Sequence, residues 1–254
     1  MSLPEDKVAV VTGGAGGMGE AICIGLAQAG YSVVVGYNSS QAAALALVAR
    51  LAPTSQPHVA LLTPVTDSAG LTALAADVAQ RYGRCDLLVN CAGTTRFVPH
   101  PDLDGLDDGL IDQILATNVR GPFAAVRAFK ALLAAPRKDG ATGLVVNISS
   151  IAAATAMGSN VMYCASKAAV DNMTKSLARA LAPAIRVVSV SPGLADTEFV
   201  KRMDSTWRDE QASRTPLKRL AQPEEVAAAV VAVATHLRFT TGAVIPVDGG
   251  RQLA

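Results

Sequence analysis

The chain has 254 residues, 50% hydrophobic and 17% charged, with 22 Lys and Arg against 21 Asp and Glu for a net charge of +1. Charge well below the roughly 25% of an average soluble domain, beside so high an apolar fraction, predicts a large core and excludes intrinsic disorder. Near-neutrality without any basic run excludes nucleic acid as a partner, and the longest wholly apolar run, Val226 to Ala234, is far short of the roughly 20 residues that span a bilayer, so no membrane partner is expected.

Met1 to Lys7 includes Glu5 and Asp6 and lacks the layout of a secretory signal, so a cytoplasmic address is expected. Cys23, Cys85, Cys91 and Cys164 form no CxxC and no metal-like grouping with the three histidines, which fits small buried thiols in a reducing compartment and no metal.

Val8 to Val11 reads as a buried strand and runs into Thr12-Gly13-Gly14-Ala15-Gly16-Gly17-Met18-Gly19, with a helix from Glu20 to Ala29. Glycines let the backbone turn tightly and approach a ligand, and a helix N-terminus offers unpaired N–H groups and a positive dipole. A pyrophosphate is therefore expected against Gly13, Ala15, Gly16, Gly17, Met18 and Gly19. A second strand at Val33 to Val35 ends in Gly36-Tyr37-Asn38-Ser39-Ser40, and helical stretches follow at Gln41 to Leu51 and Leu71 to Tyr82. A third buried strand, Leu87 to Val89, ends in Asn90-Cys91-Ala92-Gly93.

An Ala-rich helix over Ile111 to Ala134 carries Asn118, and a strand over Leu144 to Ile148 ends at Ser149-Ser150. The next helix, Tyr163 to Leu181, places Tyr163 and Lys167 four residues apart on one face, where the ammonium favours the phenolate and makes Tyr163 a proton donor and acceptor. Val187 to Val190 is a strand followed by Ser191-Pro192-Gly193. Residues 194–219 interrupt the alternation with mixed charges and the single Trp207, and read as a helical lid over a cleft. A helix over Pro223 to Ala234 and a strand over Ala243 to Val247 close the pattern. Continuous apolar strands alternating with helices predict α/β architecture: one domain over residues 1–254, a doubly wound parallel sheet with helices on both faces.

The TGxxxGxG turn, Asn90-Cys91-Ala92-Gly93, Asn118, Ser150 thirteen residues before Tyr163, Tyr-x-x-x-Lys, Ser191-Pro192-Gly193 and Val247-Asp248-Gly249-Gly250 resemble the short-chain dehydrogenase/reductase family over nearly the whole chain. The resemblance implies a nicotinamide dinucleotide and hydride transfer between it and a carbonyl or secondary alcohol of a small molecule. In that pattern Tyr163 is the general acid and base, Ser150 hydrogen-bonds the carbonyl oxygen, Lys167 holds the ribose hydroxyls and tunes Tyr163, and Asn118 holds a proton-relaying water. Backbone near Asn90, Ala92 and Gly93 packs on the cofactor, with Pro192, Gly193, Ala195 and Thr197 at the carboxamide side. It also implies a homotetramer built on the helices Ile111 to Ala134 and Tyr163 to Leu181.

An NAD-preferring fold places an Asp or Glu about 20 residues after the glycines, on the ribose hydroxyls. Here no acid occurs between Glu20 and Asp67, where about four would fall at the chain's average frequency. NADP(H) is therefore expected, held by Tyr37, Asn38 and Ser39, with NAD(H) the alternative. Two positions depart from the family pattern. Pro64 stands where relatives carry an adenine-contacting Asp, leaving backbone at Val65, and Cys91 replaces the second Asn of NNAG. The overall pattern is closest to 3-oxoacyl-thioester reductases, on carrier protein or coenzyme A, and to sugar or alcohol dehydrogenases, while a non-catalytic dinucleotide-binding scaffold finds support only in Pro64 and Cys91. Arg96, Lys201 and Arg202 are candidates to meet an anionic substrate tail.

Overall fold

The computed structural model describes residues 7–137 and 140–253. Seven strands, β1 (Lys7–Thr12), β2 (Tyr31–Tyr37), β3 (Val59–Leu62), β4 (Leu87–Asn90), β5 (Gly143–Ile148), β6 (Ile185–Pro192) and β7 (Val244–Val247), form one parallel sheet in the order β3-β2-β1-β4-β5-β6-β7. Between them run α1 (Gly17–Gln28), α2 (Gln41–Val48), α3 (Ser68–Tyr82), α4 (Asp108–Leu115), α5 (Gly121–Ala134), α6 (Ala152–Thr155), α7 (Val161–Leu181), α8 (Glu198–Lys201), α9 (Ser205–Arg214) and α10 (Pro223–Thr235).

β1, β4 and β5 are apolar on both faces because both faces are covered. Ala9 and Val11 point into a core shared with α1, α2 and α10. Val8 and Val10 point into a second core under α3, α5 and the end of α7. The chain leaves β1 toward β2 on one side and β4 toward β5 on the other, so the strand order reverses between β1 and β4. A crevice opens beyond the carboxyl ends of strands at such a reversal. Register places Thr12 beside Asn90, Asn90 beside Asn147, and Asn147 beside Ser189 along that edge.

Two expectations are corrected. β3 is an additional strand, which makes Leu87–Asn90 the fourth. The helix expected over Ile111 to Ala134 is divided by a π-helical segment, Ala116–Arg120, in which the Gly121 N–H reaches the Ala116 carbonyl. Pro122, near the start of α5, explains the break: it has no N–H to give the carbonyl of Asn118 four residues earlier, and its ring crowds that carbonyl.

Candidate active site

The turn after β1 is shaped by glycine. Gly13 holds φ +66°, and a Cβ there would lie 2.9 Å from the Cα of Ala92. A Cβ on Gly19 would lie 2.1 Å from the Gly13 carbonyl oxygen, and one on Gly17 would press 3.0 Å from Thr197 Cβ. The turn thus lies in direct contact with the β4 loop, and the start of α1 with Thr197. Its N-cap, Gly16, supplies no side-chain acceptor, so its first-turn N–H groups have no side chain capping them.

Next to this turn the Gly14 N–H donates to the Gly36 carbonyl at 2.7 Å, which seats the end of β2 against it. Asn38, Ser39 and Ser40 continue from Tyr37 as an exposed polar turn. The first acid before the acid-free stretch, Glu20, is paired at 2.6 Å with Arg50, the first cation after that turn. Val65 lies against the start of α5, where a Cβ on Gly121 would sit 3.2 Å from its Cβ and carbonyl oxygen. Asp67 does not replace the acid missing at Pro64: it caps α3, accepting the Ala69 N–H at 2.9 Å.

At the end of β4, the Thr12 hydroxyl oxygen accepts the N–H groups of both Cys91 and Ala92 at 3.1 Å. Sequence reasoning passed over Thr12, although its place as the last residue before the glycines was the available signal. Below it a buried amide chain crosses the sheet: Asn90 Nδ2 donates to Asn147 Oδ1 and Asn147 Nδ2 to Thr174 Oγ1, both at 2.8 Å. Among the described residues, Asn90 Oδ1 is buried without a partner. Burial pushes the Cys91 thiol up to about 11, so it is a neutral packing group beside the crevice.

Tyr163 and Lys167 do share a face of α7. Lys167 is buried, at 7% exposure; its Nζ donates to the Ile148 carbonyl at 2.8 Å and lies 5.7 Å from the Tyr163 ring centroid. Ser150, two residues past β5, is half-buried and accepts the Ala152 N–H at 3.1 Å, which leaves its own proton to donate. Its neighbour Ser149 is buried and turned away, donating to the Lys167 carbonyl. Asn118 and Lys167 both face Gly93, whose Cβ, if present, would be 3.5 Å from Asn118 Oδ1 and 3.8 Å from Lys167 Nζ. The Asn118 amide accepts the Thr94 N–H at 2.8 Å and donates to the Thr94 carbonyl and to Ser166 Oγ at 3.0 and 3.1 Å.

On the other side of the crevice, the Gly193 N–H donates to the Val247 carbonyl at 2.9 Å, and Ala195, buried, bridges to Ala221. Thr197 caps α8 by accepting the Val200 N–H at 3.4 Å. The 194–219 segment holds α8 and α9, and Arg208 of α9 pairs with Asp196 at 2.7 Å. Two of the cations expected to meet an anionic tail are committed elsewhere. Arg96 donates to the Gly105 carbonyl at 2.7 Å and faces Asp107, and Lys201 pairs with Glu198 at 2.8 Å. Among the described residues no three His, Cys, Asp or Glu gather as a metal site, and no helix is long and apolar enough to cross a membrane.

A family model described as enoyl-(acyl carrier protein) reductase matches residues 13–252. The chain is 37% identical to cis-4-hydroxycyclohexanecarboxylate dehydrogenase of Sinomonas cyclohexanicum, over 96% of each. Among solved structures it resembles the NADP active-site complex of Pseudomonas aeruginosa RhlG, with TM-score 0.89 and 29% identity over 99% of this chain and 98% of that one. It also resembles the 3-ketoacyl-(acyl-carrier-protein) reductase of Brucella melitensis complexed with NADH, with TM-score 0.86 and 27% identity over 97% and 98%.

Proposed function

We propose that this chain, which belongs to the short-chain dehydrogenase/reductase family, is an NADP(H)-dependent reductase of a ketone, with a 3-oxoacyl thioester as the sharpest candidate substrate. Members of the family are oxidoreductases acting on hydroxyl and keto groups with a nicotinamide dinucleotide. The observation that carries the proposal is the pairing of Tyr163 with the buried Lys167 ammonium, 5.7 Å from its ring, on the helix from which Lys167 reaches the Ile148 carbonyl, two residues before Ser150, and faces Gly93.

The residues present fit a dinucleotide. A Cβ at Gly13, Gly14, Gly17 or Gly19 would meet its neighbours at 3.1 Å or less, the start of α1 is uncapped, and Asn90 Oδ1 is left as a buried acceptor. Gly13, Ala15, Gly16, Gly17, Met18 and Gly19 would cradle the pyrophosphate, and Val65, Asn90, Ala92 and Gly93 would line the adenosine and ribose side. Pro192, Gly193, Ala195 and Thr197 would hold the carboxamide end. Bound in its reduced form, the nicotinamide supplies a hydride for the carbonyl carbon. The Tyr163 hydroxyl gives its proton to the oxygen that becomes the alcohol, and the Ser150 hydroxyl hydrogen-bonds the same oxygen as charge develops on it. Lys167 stabilises the phenolate that remains and binds ribose hydroxyls, and Asn118 anchors a water that returns a proton toward Lys167.

Cofactor choice rests on the end of β2. A carboxylate there would repel a 2′-phosphate, and Tyr37, Asn38 and Ser39 carry none, while Asn and Ser offer donors to phosphate oxygens. The second reading is a dehydrogenase of an uncharged cyclic or sugar alcohol. Asp102, Asp104, Asp107, Asp108 and Asp112 follow the 94–99 loop along the chain, an excess of acid that favours an uncharged substrate over the phosphates of a coenzyme A thioester. The intact Ser150, Tyr163 and Lys167 oppose a non-catalytic scaffold. We place the whole chain in one catalytic domain with residues 194–219 as its lid, and assign it to a homotetramer, supported by the exposed small residues Ala165 and Ala168 on the outer face of α7 and by the 44% exposed Phe123 on α5.

NADPH and NADH oxidation measured over a panel of ketones, 3-oxoacyl thioesters and sugars tests the reading. Tyr163→Phe is expected to keep NADPH binding and lose more than about tenfold in kcat; a variant retaining over a tenth of the activity, or a higher kcat/KM with NADH, overturns the corresponding part. Light scattering at the 26.0 kDa monomer mass would remove the tetramer.

A further inference from the structure

Asn160, just before α7, is completely buried and uses its whole amide on two different parts of the site. Its Oδ1 accepts the N–H of Tyr163 at 2.7 Å. Its Nδ2 donates to the Arg96 carbonyl at 2.7 Å and to Thr95 Oγ1 at 3.2 Å. The amide orientation is forced, because the reverse would set an NH2 group against the Tyr163 N–H. The circuit closes behind the crevice. Thr94 is held through its N–H and carbonyl by the Asn118 amide, Asn118 donates to Ser166 Oγ, and Ser166 Oγ donates to the Tyr163 carbonyl at 2.7 Å. Tyr163 is therefore linked from both its N–H and its carbonyl to the same short loop. Beside Asn160, the Val98 N–H donates to the Ser159 carbonyl at 2.8 Å, and the Thr95 and Ser159 hydroxyls are bonded at 2.5 Å.

We infer that Asn160 is a positioning residue for substrate: it fixes residues 95 and 96, part of one wall of the crevice, at a set distance from Tyr163. The inference rests on the placement of Tyr163 and the 94–99 loop in the catalytic site. Its cap to Tyr163 steadies the helix, and its clamp on Arg96 and Thr95 sets the width of the cleft. The two functions are separable by chemistry. Ser at this position keeps an oxygen able to accept the Tyr163 N–H but is too short to reach the Arg96 carbonyl, and Thr95→Val removes one clamp bond, together with the Thr95–Ser159 hydroxyl link, without touching the cap.

Steady-state kinetics with NADPH and ethyl acetoacetate, NADPH titration, thermal melting and amide hydrogen exchange would be measured on Asn160→Ser, Asn160→Ala and Thr95→Val. For Asn160→Ser the expected result is KM raised about tenfold, the equivalent of one hydrogen bond, with kcat within about threefold and NADPH affinity unchanged. The Val98 amide should exchange faster while the Tyr163 amide stays protected. Thr95→Val should show the same split more weakly, and Asn160→Ala should lose kcat as well. A fall in melting temperature with KM and Val98 exchange unchanged would reduce Asn160 to a helix cap and overturn the inference. If the unaltered chain does not turn over ethyl acetoacetate, or Tyr163→Phe stays active, the site reading fails instead, and Val98 exchange still decides whether the clamp exists.

Discussion

Helix α1 contains two glycines whose replacement by Ala should have opposite effects. At Gly19 a Cβ would stand 2.1 Å from the Gly13 carbonyl oxygen and 2.9 Å from Gly14 Cα, both backbone atoms, whereas real Cβ contacts essentially never fall under 3.0 Å. The turn or the helix start must therefore move by about 1 Å, and misplacement on that scale costs on the order of a hundredfold where geometry governs binding or reaction. For Gly19→Ala we expect NADPH affinity to fall about 100-fold, or about 2.7 kcal/mol. At Gly25, two turns along, a Cβ would meet Val231 Cγ2 at 3.4 Å and Ala227 Cβ at 3.7 Å, ordinary contacts with α10. There the gain in helix propensity, about 1 kcal/mol, should raise the melting temperature by about 2–4 °C and leave NADPH binding untouched. Fluorescence titration with NADPH and a circular-dichroism melt measure both quantities. Gly19→Ala binding within threefold of the parent, or Gly25→Ala weakening binding as much as Gly19→Ala, would refute the claim that close packing of the turn shapes the dinucleotide cradle.

Asn38→Asp should shift the ratio of kcat/KM for NADPH over NADH at least about tenfold toward NADH, because the new carboxylate would accept ribose hydroxyls and repel a 2′-phosphate; an unchanged ratio would move phosphate recognition elsewhere. Asp86 accepts the Val8 N–H at 2.8 Å and pairs with Arg84 and with Arg137, whose side chain is only 6% exposed. Removing it with Asp86→Ala leaves that guanidinium with backbone carbonyls but no carboxylate, and should cost about 3 kcal/mol, or about 6–12 °C in a melt, without changing KM, since Asp86 precedes β4 at the end of the sheet opposite the crevice. Burial alone would raise the Asp86 carboxyl, but hydrogen bonds from Arg84, the Val8 N–H and Arg137 outweigh it and hold it below the usual carboxylate range. A depressed carboxyl stabilises the fold fully above its unfolded value near about 4, and this contribution is lost as pH falls through the lower folded value. The melting temperature should thus decline below about pH 4, and less steeply in Asp86→Ala.

Much of the site was legible because its chemistry is carried by residue type and spacing. A spacing of four from Tyr163 to Lys167 fixes a shared helix face, and a spacing of thirteen from Ser150 to Tyr163 separated Ser150 from Ser149, which proves to be turned under Lys167. β3 escaped notice because its apolar run, Val59-Ala60-Leu61-Leu62, is short, lies at the sheet edge and is only half-buried, so it lacks the buried-strand character of the central strands. The break at Asn118 was hidden because the apolar period of α4 and α5 runs on across it; only Pro122 marks it, and a proline near a helix start is equally compatible with an unbroken helix. Arg96 looked free because its partners, the Gly105 carbonyl and Asp107, are set by the path of the loop, whereas the partner of Lys201, Glu198, stands at a local i,i+3 spacing that the sequence does display. Asn160 carried the ordinary signal of an N-cap before Val161 and Met162, but its clamp on Arg96 is a contact across 64 residues that no local pattern encodes.

Helix α9 buries none of its side chains. It is fastened by the Arg208 to Asp196 ion pair and by Arg251, which donates to the Arg214 carbonyl at 3.2 Å and to Gln211 at 3.5 Å. A segment attached this way can detach at a small fraction of the global unfolding free energy, and its ionic attachment loosens as salt is added. If the release of oxidised cofactor limits turnover, the enzyme should run faster, within limits, in more concentrated electrolyte, while the glycine cradle under α1, held by apolar packing and backbone contacts, keeps its grip.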